Sequence, residues 1–210
     1  MNHRNIFLFW PKTYQMGRIA LFLLLYQTTI SYGQSSSDAR MFHNNDFNWS
    51  IPIPKGFEKV ADSSWAKMQD KGAAAIESTY DAKVDNQAKT IFVFKSDQFN
   101  YFESNYQPFD TAKDGNYQDV YKNVNDILYG TLKAQMPTAQ LDSSYGRENV
   151  GGKDFNVFSL DAHINPQFTL HILMYSRLFG KKEFSVNIMY VDPEKGKALL
   201  EAWRSSSFDK

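Results

Sequence analysis

The sequence predicts an α+β domain, in which a central antiparallel sheet is flanked by helices as an α/β/α layered sandwich. Three apolar segments follow one another at 155–164, 168–179 and 183–191, and short turns containing Gly, Asn or Pro join them. This pattern predicts an antiparallel meander. Segments with helical periodicity lie before and after the meander, which favours separate helical layers packed on the sheet. Since no repeat or interior linker interrupts residues 47–210, we expect a single domain there.

Three helices are predicted, each with one apolar face. The first begins at Ser63 or Ser64 as the N-cap and ends near Thr79. The second covers 116–135, and Pro137 stops it. The third runs from Pro193 to Ser206, with Asp192 as its cap and proline at its first position. Each predicted helix has its apolar residues on one face, and for the third helix that face is expected to pack on the sheet at Phe184, Val186 and Ile188. These residues are Trp65, Met68, Gly72, Ile76 and Thr79 in the first helix, Val120, Val124, Ile127, Leu128 and Leu132 in the second, and Leu199, Leu200 and Trp203 in the third.

The N-terminal half of the domain carries weaker strand signals. A short strand is predicted at 47–51, ended by Pro52 and Pro54. Residues 89–95 are apolar at both alternating positions, which predicts a central strand covered on both faces. Residues 99–109 are rich in aromatic side chains and are predicted to form an edge strand or an ordered loop.

The first 33 residues have the pattern of a secretory signal peptide. A basic lead with Arg4, Lys12 and Arg18 precedes the apolar block 19–26, and small or polar residues follow up to Gly33. This order predicts export and cleavage after Gly33, and the start codon could be Met1 or Met16. The apolar block is shorter than the roughly 20 residues that span a bilayer, so no membrane anchor is expected. Residues 34–46 are polar and are predicted to be a flexible leader.

Composition narrows the classes of partner. The chain has no cysteine, so disulfides, thiol catalysis and Cys-ligated metals are excluded. Cleavage after Gly33 would remove three basic residues and leave 20 basic against 23 acidic residues. That balance lacks the basic surface that nucleic-acid binding requires, so no nucleic-acid partner is expected. A periplasmic or extracellular monomer is the expected form.

Two segments resemble the PsbP-like family. Residues 48–57, Asn-Trp-Ser-Ile-Pro-Ile-Pro-Lys-Gly-Phe, are similar to the opening strand and Pro-x-Gly-aromatic turn of that family. The closing strand with residues 195–208, which end in Ser-Phe, is similar to its C-terminal strand and helix. The resemblance implies a central antiparallel sheet with flanking helices. It also implies an accessory or binding protein and not an enzyme, since the family includes photosystem extrinsic proteins and exported bacterial proteins.

A dense run of aromatic residues between Phe92 and Tyr121 is the first candidate site. Tyrosine is amphipathic and common at recognition surfaces, so Tyr101, Tyr106, Phe109 and Tyr117 could form a binding surface for a protein or a glycan. The alternative is that the phenylalanines fill a layer of the sandwich and the tyrosines cap it.

Asp161, His163 and His171 are the second candidate site. If Ile164 pairs with Phe168 across the turn, Asp161 lies opposite His171 and His163 shares their face. Imidazole and carboxylate ligands suit zinc or manganese, so this set could support a metal-dependent hydrolase. The alternative is a polar stripe on a half-exposed strand.

No catalytic signature occurs in the chain: it has no Gly-x-Ser-x-Gly elbow, His-Glu-x-x-His motif, phosphate-binding loop or dinucleotide fingerprint. We therefore expect a non-catalytic accessory or binding protein of the cell envelope that needs no cofactor. The metal-dependent hydrolase is the alternative.

Overall fold

The computed structural model describes residues 40–209, which fold into ten strands and four helices. The helices are α1 (Asp62–Tyr80), α2 (Thr111–Asp114), α3 (Tyr117–Gln135) and α4 (Pro193–Arg204). The strands are β1 (Arg40–Asn44), β2 (Trp49–Ile53), β3 (Glu58–Lys59), β4 (Lys89–Lys95), β5 (Tyr101–Pro108), β6 (Gln140–Val150), β7 (Lys153–Asn165), β8 (Phe168–Phe179), β9 (Lys182–Tyr190) and β10 (Ser207–Phe208). None of the helices in this part of the chain is long and apolar enough to cross a membrane.

Seven strands form the main antiparallel sheet, in the order β3-β4-β5-β9-β8-β7-β6. Helices α1 and α3 cover one face, where Trp65, Ile76 and Leu128 are buried against the strands. The other face, which we call the α4 face, is covered by α4 and by a small sheet in the order β1-β2-β10. The predicted α+β class is therefore confirmed. The layer on the α4 face also contains a small sheet. Its strand β2 corresponds to the predicted strand at 47–51, whereas β1, β10 and their pairing in a separate sheet are not predicted from the sequence.

The α4 face has an aromatic core. Trp49, Phe155 and Trp203 are fully buried there, and the Phe155 and Trp203 rings meet edge to face with centroids 5.1 Å apart. A fully buried aromatic side chain removes a large apolar area from water, so this cluster is a main source of stability. Leu199 and Trp203 of α4 are buried in this core, as the sequence predicts, and Leu200 is half-buried against it. The core also contains Phe184, Val186 and Ile188 of β9.

Helix boundaries agree with the sequence prediction to within a few residues, but one cap differs. Asp192 caps α4 through its side chain, which accepts hydrogen bonds from the backbone N–H of Glu194 and Lys195. Helix α1 begins at Asp62 after Ala61, which makes no side-chain cap. Ser63 and Ser64 thus lie inside the first turn, and the prediction that one of them is the N-cap is wrong.

The predicted leader 34–46 is too long. Strand β1 lies within it and pairs antiparallel with β2, with Arg40 opposite Ile53 and Asn44 opposite Trp49. Phe42 of β1 stacks on Phe92 with ring centroids 3.9 Å apart. A polar segment can still form a strand when every second residue packs on a core, and this packing corrects the prediction for residues 40–46. The predicted signal peptide and residues 34–39 lie outside the described residues.

Two strands differ in position from the prediction. Segment 99–109 is not at an edge, because β5 pairs with β4 on one side and with β9 on the other. Segment 89–95 is covered on both faces as predicted, but β4 is next to the outermost strand β3 and not at the centre of the sheet.

Strand β6 is absent from the sequence prediction. It pairs with β7 along its whole length, from Gln140 opposite His163 to Val150 opposite Lys153, without a register shift. Its outer side has no partner strand among residues 40–209. The sheet thus ends in the eleven-residue strand β6 on one side and in the two-residue strand β3 on the other.

Candidate functional site

The four predicted binding aromatics do not share one surface. Tyr101 is 2% exposed and packs under α1, where its ring meets Trp65 with centroids 5.2 Å apart. Tyr106 lies on the opposite face of β5 and packs on Phe47. Phe109 is buried, and its ring contacts that of Tyr117. The alternative in which these residues fill and cap the layers describes their positions, and the four do not lie together on one surface of the described structure.

The predicted pairing of Asp161 with His171 is present. These residues lie opposite each other on β7 and β8, and Asp161 Oδ1 is 2.7 Å from His171 Nδ1. The turn itself differs: Asn165 pairs with Phe168, and a register shift follows before His163 pairs with Thr169. The predicted Ile164–Phe168 pairing is therefore absent. The register shift restores the expected alignment further along the strands, so Asp161 still lies opposite His171.

His163 belongs to a different pair. Its Nε2 is 3.1 Å from Asp142 Oδ2 on β6, and its Nδ1 is 3.0 Å from Thr169 Oγ1. Asp161, His163 and His171 share a face, yet each histidine is held by its own carboxylate. Within residues 40–209, no group of three or more His, Asp or Glu side chains could hold a metal ion. The geometry therefore does not support the metal-dependent hydrolase.

The most unusual chemistry lies between the main sheet and the helices α1 and α3. Alternate residues of β5 point into this layer and carry polar side chains, and Glu103 is fully buried. Glu103 Oε1 accepts hydrogen bonds from Trp65 Nε1 at 2.9 Å and from Gln69 Nε2 at 3.3 Å. Its Oε2 accepts one from Asn187 Nδ2 of β9, at 2.9 Å.

Burial raises the pKa of Glu103 to about 7, and the hydrogen bonds from Asn187, Trp65, Asn105 and Gln69 act in the opposite direction. Removing a carboxylate from water disfavours its charged form, and here that cost exceeds the stabilisation by the surrounding donors. Glu103 is thus a buried group that changes charge near neutral pH.

A second buried carboxylate lies four residue pairs further along the same two strands. Glu183 of β9 is opposite Gln107 of β5, and Gln107 Nε2 donates a 2.6 Å hydrogen bond to Glu183 Oε2. The hydroxyl of Tyr117, at the start of α3, is 2.8 Å from Ser176 Oγ. Burial, followed by the charge of Glu183, raises the pKa of the Tyr117 hydroxyl well above its usual value. This end of the layer therefore favours a neutral phenol beside an acidic group.

Glu183 lines a polar cleft of about 40 Å³, which is bordered by α3 and by strands β5, β8 and β9. Three of its lining side chains are at least nine-tenths buried and have an atom without a hydrogen-bond partner in the described part of the chain: Gln107 Oε1, Tyr121 OH and Asn187 Oδ1. Pockets for drug-sized ligands measure roughly 300–1,000 Å³. The cleft can hold one small polar group and not a whole metabolite.

Sequence reasoning missed this polar layer. Its signal is the alternation of Glu103, Asn105 and Gln107 along β5, which normally indicates a strand with one face in water. Here that face lies under two helices, and the partners Trp65 and Asn187 are distant in sequence.

The outer edge of β6 is accessible in the part of the chain that the structure describes. Residues 142–147 are all exposed, and their sequence is Asp-Ser-Ser-Tyr-Gly-Arg. Tyr145 is 47% exposed although its ring contacts Tyr121 and Phe158 and its hydroxyl donates to Asp126 Oδ1 at 3.2 Å. Glu148 is held by Arg204 Nε at 2.6 Å and by the Tyr175 hydroxyl at 2.8 Å. The end of β6 is thus tied to α4 and β8.

Comparison with known proteins gives a structural match only. No family model matches the chain, and no curated protein matches it in sequence. Among solved structures, cyanobacterial PsbP (CyanoP) from Synechocystis sp. PCC 6803 aligns with a TM-score of 0.52 and 11% identity, over 86% of this chain and 98% of CyanoP. The Ran-binding protein Mog1p from Saccharomyces cerevisiae aligns with a TM-score of 0.40 and 9% identity, over 82% of this chain and 96% of Mog1p. The similarity to CyanoP together with the strand order assigns the chain a PsbP-like fold.

Proposed function

We propose that the protein is exported to the cell envelope and acts there as a non-catalytic accessory protein that binds a macromolecular partner. The observation that carries the proposal is the unprotected edge of β6, where residues 142–147 are exposed in succession. Long edge strands are usually shortened, charged with lysine, interrupted by proline or a bulge, or covered, since they invite pairing with another chain. Within residues 40–209 no strand pairs with this edge, and it has no lysine, proline or bulge, which fits a binding surface.

The polar cleft supports the same proposal. A volume of about 40 Å³ suits a single protruding hydroxyl or amine of a larger partner, and not an enclosed substrate. The family resemblance of residues 48–57 and 195–208 also implies an accessory or binding role.

Export is tested by the N-terminus of the protein in its native cells. We expect cleavage after Gly33, so mass spectrometry of the envelope fraction should find a mature chain that begins at Gln34. A protein that retains residues 1–33 and fractionates with the cytoplasm would overturn this half of the proposal.

Binding is tested by capture from an envelope extract with the mature chain as bait. The control bait is the same chain after heat denaturation, which lacks the native surfaces. Recovery of a protein or glycan by the native chain alone supports the proposal. If neither bait enriches any component over resin without bait, a binding function is contradicted.

A further inference from the structure

We propose that the outer edge of β6 binds an extended polypeptide segment of a partner protein, which adds to the main sheet as an eighth strand. This inference rests on the proposed binding function and names the partner as a peptide strand and not a glycan. In an antiparallel edge strand, every second residue directs its N–H and C=O away from the sheet. The regular spacing of these groups matches the backbone of another strand, and main-chain hydrogen bonds then supply affinity.

The two ends of the sheet differ in a way that supports this choice. Strand β3 contains only Glu58 and Lys59, so it offers little backbone for pairing. Strand β6 has eleven residues, contains no proline or lysine, and pairs with β7 without a bulge. A short length, lysine, proline and bulges commonly protect an edge, and β6 has none of them. Its charged side chains are Asp142, Arg147 and Glu148; they are of mixed sign, and Glu148 is already paired with Arg204.

A second copy of this chain fits the edge less well than a separate segment does. Joining two seven-stranded sheets would give a continuous sheet of fourteen strands, whereas twisted open sheets rarely exceed about ten. The symmetric pairing with the longest overlap is centred on Tyr145, and it would place Asp142 of one copy opposite Glu148 of the other. Like charges directly opposite each other are unfavourable in a strand pair. Adding one strand avoids both problems.

The side chains of β6 indicate what the bound segment should carry. Tyr145 lies on the helix-covered face and its exposed part is an aromatic surface, which favours an apolar or aromatic neighbour on the added strand. Arg147 lies on the same face two residues further and is exposed, which favours an acidic neighbour. We therefore expect an extended segment that has an apolar or aromatic residue at one position and an acidic residue two positions before or after it.

Photo-crosslinking with an envelope extract tests the proposal. The mature chain carries Gly146→p-benzoylphenylalanine as the edge probe, and an otherwise identical chain carries Asn86→p-benzoylphenylalanine at an exposed loop position as the control. We expect the edge probe alone to give a cross-linked product, in which mass spectrometry maps the attachment to one extended segment of the partner. Attachment to a second copy of this chain, to a glycan, or to scattered sites on folded domains would overturn the proposal.

Proline substitutions separate edge pairing from simple proximity. Ser143 and Ser144 are neighbours, so one of them directs its N–H towards β7 and the other directs it outwards. In the edge-probe chain, Ser143→Pro and Ser144→Pro should differ: one lowers the melting temperature, and the other keeps it near that of the parent. The tolerated variant should reduce cross-linking about tenfold, because it removes an outward donor. Unchanged cross-linking in the tolerated variant would overturn the proposal.

Failure of this inference differs from failure of the proposed function. If the extract yields a partner that cross-links only at the Asn86 control position, the chain is a binding protein that uses another surface. If neither probe cross-links and the capture experiment recovers nothing, the proposed function fails as well.

Discussion

Trp65 donates its indole N–H to the carboxylate of Glu103 at 2.9 Å, and both side chains are fully buried between α1 and the main sheet. The two residues are 38 positions apart, so this hydrogen bond ties the first helix to β5. Burial also raises the pKa of Glu103 to about 7, which makes the contact sensitive to pH.

We predict that stability falls as the pH rises from about 4 to about 7. The pKa of Glu103 is higher in the folded than in the unfolded chain, so the folded state binds more protons in this range, and deprotonation favours unfolding. A rise in the pKa from the usual value to about 7 corresponds to about 3 kcal/mol of unfolding free energy.

Urea melts of the wild type at pH 5 and pH 8 measure the change. Glu103→Gln should remove this contribution. The control Glu194→Gln, at an exposed position, should keep the wild-type dependence of unfolding free energy on pH. If the unfolding free energies of the wild type and of Glu103→Gln change equally between pH 5 and pH 8, Glu103 does not titrate in this range.

We predict that Trp203→Ala destabilises the domain by about 3–5 kcal/mol, the usual cost of truncating a large core aromatic. Trp203 is fully buried, and its ring contacts Phe155 and Tyr175 with centroids 5.1 Å and 5.4 Å apart. Such a loss is a large part of the roughly 5–15 kcal/mol that stabilises a domain. The exposed Lys197→Ala on the same helix is the control and should change the midpoint of a urea melt little. A midpoint for Trp203→Ala equal to that of the control would contradict the packing of α4.

The sequence predicts the elements that bury a regular apolar pattern. The second helix is expected at 116–135 and is found at Tyr117–Gln135, because its buried residues recur at helical spacing. Strands β7, β8 and β9 are predicted for the same reason, since each has a core on at least one face. Asp192 caps α4 as expected, because a cap depends on residues that are adjacent in the chain.

Strand β6 could not be found in this way. Eight of its eleven residues are exposed, so it lacks the alternation by which a strand is recognised, and its pairing with β7 is what holds it in place. The polar layer around Glu103 escaped prediction for another reason. Its side chains alternate as on a wet strand, but two helices cover them, and tertiary packing of that kind is not encoded in local spacing.

Gly151 gives a prediction about the turn between β6 and β7. Its φ is +56°, and a Cβ there would lie 2.7 Å from the carbonyl oxygen of Ser206 and 2.9 Å from the Phe208 ring. Gly151→Ala should therefore destabilise the domain by more than backbone strain alone, which costs about 1 kcal/mol.

Gly180 provides the matched control for this close approach. It has a similar φ of +60°, but a Cβ added there would meet no atom within 4 Å. The difference in unfolding free energy between Gly151→Ala and Gly180→Ala isolates the contact with Ser206 and Phe208. Equal losses in urea melts would show that the C-terminal strand moves away without cost.

Asp97 gives a prediction with the opposite dependence on pH to that of Glu103. It lies in the β4–β5 turn, where Lys195 Nζ donates to Oδ2 at 2.7 Å and the backbone N–H of Phe99 donates to Oδ1 at 2.9 Å. Burial acts to raise the pKa of Asp97, but the hydrogen bonds from Lys195, Phe99, Asn100 and Ser96 together lower it below its usual value. The carboxylate therefore stabilises the fold when charged, above its unfolded-state pKa, and this contribution is lost as the pH falls through the folded-state pKa.

We predict that Asp97→Asn costs about 1–3 kcal/mol at pH 7, because an amide nitrogen would face donors that now meet a carboxylate oxygen. The difference in unfolding free energy between wild type and variant should shrink as the pH is lowered towards 3, since the wild-type carboxylate then becomes protonated. Lys195→Met removes one donor and leaves the backbone donors in place, so its cost should be smaller than that of Asp97→Asn. Urea melts of the three proteins at pH 7, 5 and 3 measure both effects. If the difference in unfolding free energy between wild type and Asp97→Asn stays constant from pH 7 to pH 3, the charge of Asp97 does not hold the turn against α4.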